Sequence, residues 1–218
     1  MRIALYYTPA PGHPLADFAA RWFAPDNLPE ETAPARFYGF HATLKPPFAL
    51  KSAQSLDKLL AAAQAFARQR RSLDIGRLRL GTLGRFLALV PEAPSAELQA
   101  LAAACVMDFD DFRAPAAAAE LAKRRAAGLT AQQEALLARW GYPYVMEAFR
   151  FHMTLTGSLA EDARQAAEAQ ALARLGGVLA APMVLDALTL SLQTGPGRPF
   201  IAWRRLPFGG RLPIDQGR

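Results

Sequence analysis

Two histidines stand out in this chain because each begins the same short motif. The chain has 218 residues and three histidines, and His41 and His152 each open the sequence His-x-Thr-Leu. Successive side chains of a β-strand point to opposite faces, so Thr43 shares a face with His41, and Thr154 shares one with His152. Since an imidazole titrates near neutrality and a hydroxyl donates hydrogen bonds, each motif supplies an acid or a base beside a donor.

Two such strands on opposite sides of a groove would place one imidazole on each side of a bound ligand. In-line displacement at phosphorus needs this arrangement, with a base near the attacking oxygen and an acid near the leaving oxygen. The two threonine hydroxyls would donate to the non-bridging oxygens as negative charge develops there. This chemistry needs no metal and no other cofactor, and the sequence leaves open which histidine is the acid.

A metal site is not expected from the sequence. The chain has no His-Glu-x-x-His motif and a single cysteine, and its third histidine, His13, lies in a segment rich in proline and glycine. We therefore expect His13 to be an ordinary loop residue.

Six further residues are candidates for binding the substrate. Strand alternation places one of them on the face of His41 and two on the face of His152. Two more are arginines that alternate with leucines on a strand between the two motifs. A tyrosine before the second motif could stack on a base or a sugar. Solvent exposure, an edge salt bridge and packing under a loop are the ordinary alternatives for such residues. The candidates are Lys45, Arg150, Thr156, Arg77, Arg79 and Tyr144.

The elements that carry these residues repeat along the chain. Leu73-Asp74 recurs as Leu185-Asp186 at nearly the same offset as the two histidines. The sequence predicts one bilobal domain over residues 1–208, with repeats at about 3–81 and 85–193 and a tail at 209–218. The predicted fold class is α+β. It has two lobes related by a pseudo-twofold, each a mainly antiparallel sheet with helices on its outer face, and the active-site groove lies between them.

A helical insert at about 107–141 interrupts the second repeat. Thr130 and Gln133 have the spacing of a capping box, which marks a helix start. We expect the insert to pack beside the groove as a lid that limits substrate size, with basic side chains that attract phosphate. The alternative is a helical decoration packed away from the site. The basic residues are Arg113, Lys123, Arg124 and Arg125.

Amino-acid composition and charge indicate which kind of ligand and which cellular compartment to expect. The formal net charge of +6 and the pI of about 9.9 fit an anionic ligand such as a phosphate ester or RNA. The lone Cys105 excludes a disulfide framework within the chain and favours a reducing compartment. Neither a signal peptide nor a membrane span is recognisable, so we expect a cytoplasmic protein with no membrane partner. The oligomeric state is left open.

The sequence stretches around the two histidines resemble those of a known superfamily. Residues 38–48 and 140–157 contain the paired His-x-Thr-Leu motifs within longer matching stretches, and the likeness extends to about Pro207. The chain resembles the 2H phosphoesterases, which include RNA 2′,3′-cyclic phosphodiesterases. It is most similar to a bacterial "phosphonate metabolism protein" branch of unknown function, found beside genes for carbon–phosphorus bond cleavage. The resemblance implies hydrolysis of a cyclic phosphodiester by the histidines and threonines of the two motifs.

Two classes of function follow from these observations. The first is a metal-independent cyclic phosphodiesterase acting on a small sugar or nucleotide cyclic phosphate, or on the 2′,3′-cyclic phosphate end of an RNA. The second is a non-catalytic module that binds nucleotides or RNA in the same basic groove. The intact histidine and threonine of both motifs favour catalysis. A long RNA track is disfavoured, because no basic strip interleaved with many aromatics is present.

Overall fold

Helices and short strands alternate along the chain in the computed structural model, which describes residues 1–126 and 128–209. The predicted C-terminal tail lies outside the described residues from position 210 onward. The strands are β1 (Arg2–Tyr7), β2 (Ala42–Phe48), β3 (Leu73–Asp74), β4 (Leu78–Leu83), β5 (Phe86–Pro91), β6 (Met153–Thr154), β7 (Val184–Leu185), β8 (Ala187–Gln193) and β9 (Ile201–Pro207). The helices are α1 (Pro14–Trp22), α2 (Pro29–Arg36), α3 (Leu56–Arg68), α4 (Ala96–Asp108), α5 (Ala118–Arg125), α6 (Ala131–Trp140) and α7 (Glu161–Leu175).

Seven strands form one antiparallel sheet in the order β4-β5-β6-β2-β1-β8-β9, and β3 pairs with β7 in a second, two-stranded sheet. The predicted α+β class with antiparallel sheets and helices is confirmed. The two halves of the sheet are continuous, however, because β2 and β6 hydrogen-bond directly to each other. The chain also crosses between the two halves: the β4–β5 hairpin lies beside β6 of the second motif, and the β8–β9 hairpin lies beside β1.

The two faces of the large sheet have different roles. On β1, Ile3, Leu5 and Tyr7 belong to the main hydrophobic core, whereas Ala4 and Tyr6 face a smaller cluster on the other side. Helices cover the core face: α4 packs on β2, α7 on β5, and α3 on β8 and β9. Burying one large apolar side chain contributes about 1.5–3 kcal/mol, and the main core contains many of them. The packing of the helices on this face therefore stabilises the sheet, and the opposite face is left for a site.

The insert is anchored beside the sheet by a small core of its own. Val106 at the end of α4 packs with Leu136 of α6 and with Val145, apart from the main core. Helix α6 begins with the predicted capping box, since the Thr130 and Gln133 side chains each bond to the other's backbone N–H. Within the described residues, every helix is too short or too polar to cross a membrane.

Candidate active site

The pairing of β2 with β6 brings the two His-Thr motifs side by side. The strands run antiparallel, with Ala42 opposite Met153. Continuing this register by one residue in each direction places His41 beside Thr154, and Thr43 beside His152. Directly opposed residues in an antiparallel pair have Cβ atoms about 4.5–5.5 Å apart. Each histidine therefore has the threonine of the other motif as its cross-strand neighbour.

A backbone carbonyl fixes the ring of His41. Its Nδ1 lies 2.8 Å from the carbonyl oxygen of Gly39. A carbonyl can only accept, so Nδ1 carries the proton, and Nε2 of the neutral ring is an acceptor. Gly39 has a φ of +74°, a left-handed conformation that glycine adopts without a steric penalty. The Nε2 atom lies 3.1 Å from the Thr43 hydroxyl oxygen, and the ring stacks on Tyr6 at 3.8 Å between centroids.

The second histidine repeats this arrangement. Nδ1 of His152 lies 2.7 Å from the carbonyl oxygen of Arg150, again two residues earlier in the chain. The same reasoning leaves Nε2 of the neutral ring free to accept a proton. Its aromatic neighbour is Phe86, with ring centroids 5.9 Å apart. The two motifs thus present equivalent nitrogen atoms to the same side of the sheet.

Both imidazoles lie in surroundings that favour the neutral form. Burial lowers the pKa of His41 to about 4, the hydrogen bond to the Gly39 carbonyl opposes this shift, and the charge of His152 adds to it. Burial also lowers the pKa of His152, and its bond to the Arg150 carbonyl again opposes the shift. Without a ligand, both rings are therefore neutral at pH 7. A bound anion would raise both pKa values, because it stabilises the protonated rings.

The histidines lie in two adjoining cavities that together form one groove. A cavity of about 360 Å³ is lined by His41 and Thr154, and a cavity of about 690 Å³ by His152. Both volumes suit small-molecule ligands. The residues that line both cavities, and so join them, are Thr43, Pro46, Phe86 and Tyr142.

Three of the predicted substrate-binding residues reach the groove. Arg150 and the half-exposed Tyr144 line the larger cavity. Thr156 lines the smaller one, but its hydroxyl accepts a hydrogen bond from the Leu87 N–H at 3.0 Å and donates one to the Gly157 carbonyl at 2.9 Å. That hydroxyl is therefore occupied in holding the second motif against β5.

The expectation that Lys45 shares the face of His41 is wrong. Thr43 is opposite Tyr6 while Lys45 is opposite Leu5, so β2 carries one extra residue, Leu44, as in a β-bulge. The bulge reverses the alternation and turns Lys45 toward the helices. The side chain is buried there, which lowers its pKa to about 8.

In that position Lys45 completes a helix end. Its Nζ donates to the Val106 carbonyl at 2.8 Å and lies 3.3 Å from Oδ1 of Asp110, which also accepts from Arg113 at 2.7 Å. Helix α4 has no basic residue in its own last turn, so Lys45 supplies the cation that helix C-termini favour. It therefore ties β2 to the start of the insert.

Arg77 and Arg79 are also not where the alternation predicted. Both are exposed, and neither is among the residues that line the two groove cavities. Strand β4 is an edge strand, and β5 separates it from β6. The alternation identified the face of Arg79 but could not show how many strands lie between it and the histidines.

Other residues complete the groove. Arg2 and Tyr6 of β1 line the cavity of His41, together with Arg124 of α5. The insert also lines the larger cavity, through Thr130, Gln132 and Gln133. The first-strand residues were missed although Arg2, Ala4 and Tyr6 alternate with apolar residues, because the sequence does not reveal that β1 is the neighbour of β2.

Two other features bear on the chemistry. His13 caps α1, where its Nδ1 accepts from the Leu15 N–H at 3.1 Å. Within residues 1–126 and 128–209, no group of three or more His, Cys, Asp or Glu side chains is arranged to hold a metal ion.

Comparison with known sequences gives a family and two curated relatives. Residues 43–201 match the family described as "Protein of unknown function (DUF1045)". The chain is 43% identical, over 96% of its length, to a protein of Janthinobacterium sp. (strain Marseille) named ribose 1,5-bisphosphate phosphokinase PhnN. It is 32% identical, over 92% of its length, to a protein of the same name from Laribacter hongkongensis (strain HLHK9). These matches cover 51% and 50% of the relatives, so the chain spans about half their length.

The fold also has a solved counterpart. The crystal structure of TT0787 of Thermus thermophilus superposes with a TM-score of 0.51 at 15% identity, covering 96% of this chain and 99% of that one. At this identity the likeness concerns the fold alone. The family match agrees with the branch of unknown function that the sequence resembles, and the structural match confirms the fold.

Proposed function

This chain belongs to the family described as "Protein of unknown function (DUF1045)", and we propose that it is a phosphoesterase that opens a cyclic phosphodiester. The observation that carries the proposal is the paired imidazoles. Each has Nδ1 bound to a backbone carbonyl and an unprotonated Nε2, which in His41 lies 3.1 Å from the Thr43 hydroxyl oxygen, and both lie in one groove. Structural histidines would have no reason to share a tautomer, a cross-strand threonine neighbour and a groove.

The proposed reaction is an in-line attack of water on the cyclic phosphate. One neutral Nε2 removes a proton from water as its oxygen bonds to phosphorus. The ring P–O bond opposite breaks, and the other imidazole, protonated in the complex, gives its Nε2 proton to the leaving oxygen. The Thr43 and Thr154 hydroxyls donate to the non-bridging oxygens. The products are a phosphate monoester and a free hydroxyl, and no step requires a metal.

A small ribose cyclic phosphate is the substrate class we propose. The curated relatives are named for a kinase that acts on ribose 1,5-bisphosphate, and this chain matches about half of each. Ribose 1,5-bisphosphate would result if the ester bond to the 2-oxygen were hydrolysed in ribose 5-phosphate bearing a 1,2-cyclic phosphate. Such a product would feed a kinase of that name directly. The phosphonate-linked branch recognised in the sequence is consistent with this role.

A cyclic phosphate at the end of an RNA is the second candidate. The half-exposed Tyr144 and the adjacent Tyr142 lie at the larger cavity with ring centroids 5.6 Å apart, where an aromatic ring could stack on a base.

A turnover screen by ³¹P NMR, run both with and without EDTA, tests these proposals. It compares ribose 5-phosphate 1,2-cyclic phosphate, nucleoside 2′,3′-cyclic phosphates and an RNA oligonucleotide ending in a cyclic phosphate. We expect turnover, with the ribose compound hydrolysed fastest. Binding without turnover of any compound would indicate a non-catalytic module. Activity lost in EDTA and restored by one particular metal ion would indicate a metal hydrolase.

A further inference from the structure

The cavity beside His41 carries positive charge that the two-histidine reaction does not use. Arg2 and Arg124 are among its described lining residues, and none of those lining residues is acidic. The cyclic phosphate itself has one negative charge, which the imidazoles and threonines already contact in the proposed reaction. Two further cations beside them fit a second anionic group on the same ligand.

Arg2 is held in place by a buried side chain. Its Nε donates to Oε1 of Gln193 at 2.7 Å, and Nε2 of Gln193 donates to the Arg198 carbonyl at 2.7 Å. Gln193 is only 3% exposed. No carboxylate of the described residues lies within salt-bridge distance of Arg2. The guanidinium is thus oriented by an uncharged partner, and its charge is not neutralised by an ion pair in the described chain.

Arg124 reaches the same cavity from the insert. Its guanidinium lies 4.6 Å from the ring centre of Tyr142, and its Nη2 bonds to Glu120 one turn earlier at 2.6 Å. Its two basic neighbours do not line this cavity: Lys123 is exposed, and Arg125 pairs with Glu134 at 2.6 Å, as Arg124 does with Glu120. Of these three consecutive basic residues, Arg124 is the one that lines the cavity of His41.

We infer that Arg2 and Arg124 form a second anion subsite, which binds a phosphate monoester carried by the substrate at a distance from its cyclic phosphate. This inference rests on the proposed function, and it makes the two arginines specificity residues rather than catalytic ones. For ribose 5-phosphate bearing a 1,2-cyclic phosphate, the group bound there is the 5-phosphate. Arginine suits this task because its planar guanidinium can bond to two phosphate oxygens at once.

The first test measures discrimination between two substrates. Wild type, Arg2→Gln and Arg124→Gln are assayed on ribose 1,2-cyclic phosphate with and without the 5-phosphate, and Lys123→Gln and Arg125→Gln are the matched controls. We expect the ratio of kcat/KM between the two substrates to fall about tenfold to hundredfold in each test variant, the loss of one charge-assisted contact. The ratio should keep its wild-type value in both controls. A ratio that survives both test substitutions, with activity falling equally on both substrates, would overturn the inference.

The second test separates the subsite from the proposed reaction. Calorimetry with ribose 5-phosphate as the probe requires no turnover, and we expect binding to weaken about tenfold or more in Arg2→Gln and Arg124→Gln. If no cyclic phosphate is hydrolysed but this binding depends on both arginines, the proposed function fails and the subsite stands. If cyclic phosphates are hydrolysed but ribose 5-phosphate binds the variants as it binds wild type, the subsite is wrong and the function stands. Circular dichroism and melting confirm that each variant is folded.

Discussion

The first and second motifs are alike in what they present to the groove and unlike in what surrounds them. In each, the residue two positions before the histidine supplies the carbonyl that fixes Nδ1, although one is glycine and the other arginine. His41, however, stacks on Tyr6 beside the two cavity arginines, whereas His152 lies in the larger cavity with Arg150. The comparison indicates that the duplicated strands set the chemistry, while β1 and the insert, which differ between the two sides, set how the substrate lies.

The residues four positions after each histidine, Lys45 and Thr156, both anchor their strands. Lys45 and Thr156 were both expected to face the substrate, and both are almost fully buried and bonded to backbone groups. Lys45 secures β2 to the end of α4, and Thr156 secures the second motif to β5. In both motifs, then, the residue two positions after the threonine anchors its strand and has no polar group left for the substrate.

The largest expected effect comes from removing either histidine. We expect His41→Ala and His152→Ala each to lower kcat by about two to four orders of magnitude, the usual contribution of general acid–base catalysis. His13→Ala is the matched control. Its cap on α1 is worth about 0.5–2 kcal/mol of stability, but activity should persist because this residue lies outside the groove cavities. Near-full turnover in either groove variant would break the equivalence of the two motifs.

Acid should destabilise the protein through His41. Its pKa is about 4 in the folded chain and about 6.5 when unfolded, so the unfolded state binds more protons between these values. Stability is therefore complete above pH 6.5 and is lost as the pH falls toward 4, by at most about 3 kcal/mol.

Urea denaturation at several pH values measures this loss. The free energy of unfolding of His41→Gln should fall less between pH 7 and pH 4.5 than that of wild type, and His152→Gln gives the matched comparison for the second motif. An identical pH dependence in wild type and His41→Gln would show that the surroundings of His41 do not disfavour its charge.

The smallest expected effects concern the two anchoring residues. Lys45→Met removes the donor to the Val106 carbonyl, and Thr156→Val removes the acceptor of the Leu87 N–H. Each leaves a buried backbone group unpaired, at a cost of about 1–3 kcal/mol in the free energy of unfolding. Asp110 keeps its bond to Arg113, which limits the loss in Lys45→Met. Denaturant midpoints measure the cost. Normal stability combined with a raised KM in Lys45→Met would instead indicate that Lys45 binds the substrate.

The sequence could predict the parts of the site that depend on local spacing. Strand alternation placed each threonine beside its histidine, and the repeat predicted that the two motifs belong together. It failed at Lys45, because a single extra residue at Leu44 reverses the alternation and leaves no local signal. It also missed Arg2, whose role depends on which strand lies next to β2, a long-range pairing that alternation does not encode.

Nitrogen-15 NMR of histidine-labelled protein tests the central claim most directly, because the chain has only three histidines to resolve. The claim is that two imidazoles with the same tautomer act on one phosphate. At pH 7 without ligand, we predict that His41 and His152 are both neutral and protonated on Nδ1. Adding ribose 1-phosphate, which carries the phosphate that the proposed reaction leaves between the two rings, should shift the Nε2 resonances of both and leave His13 unchanged. A proton on Nε2 of either ring in the free protein, or a response from only one of the two, would contradict the account.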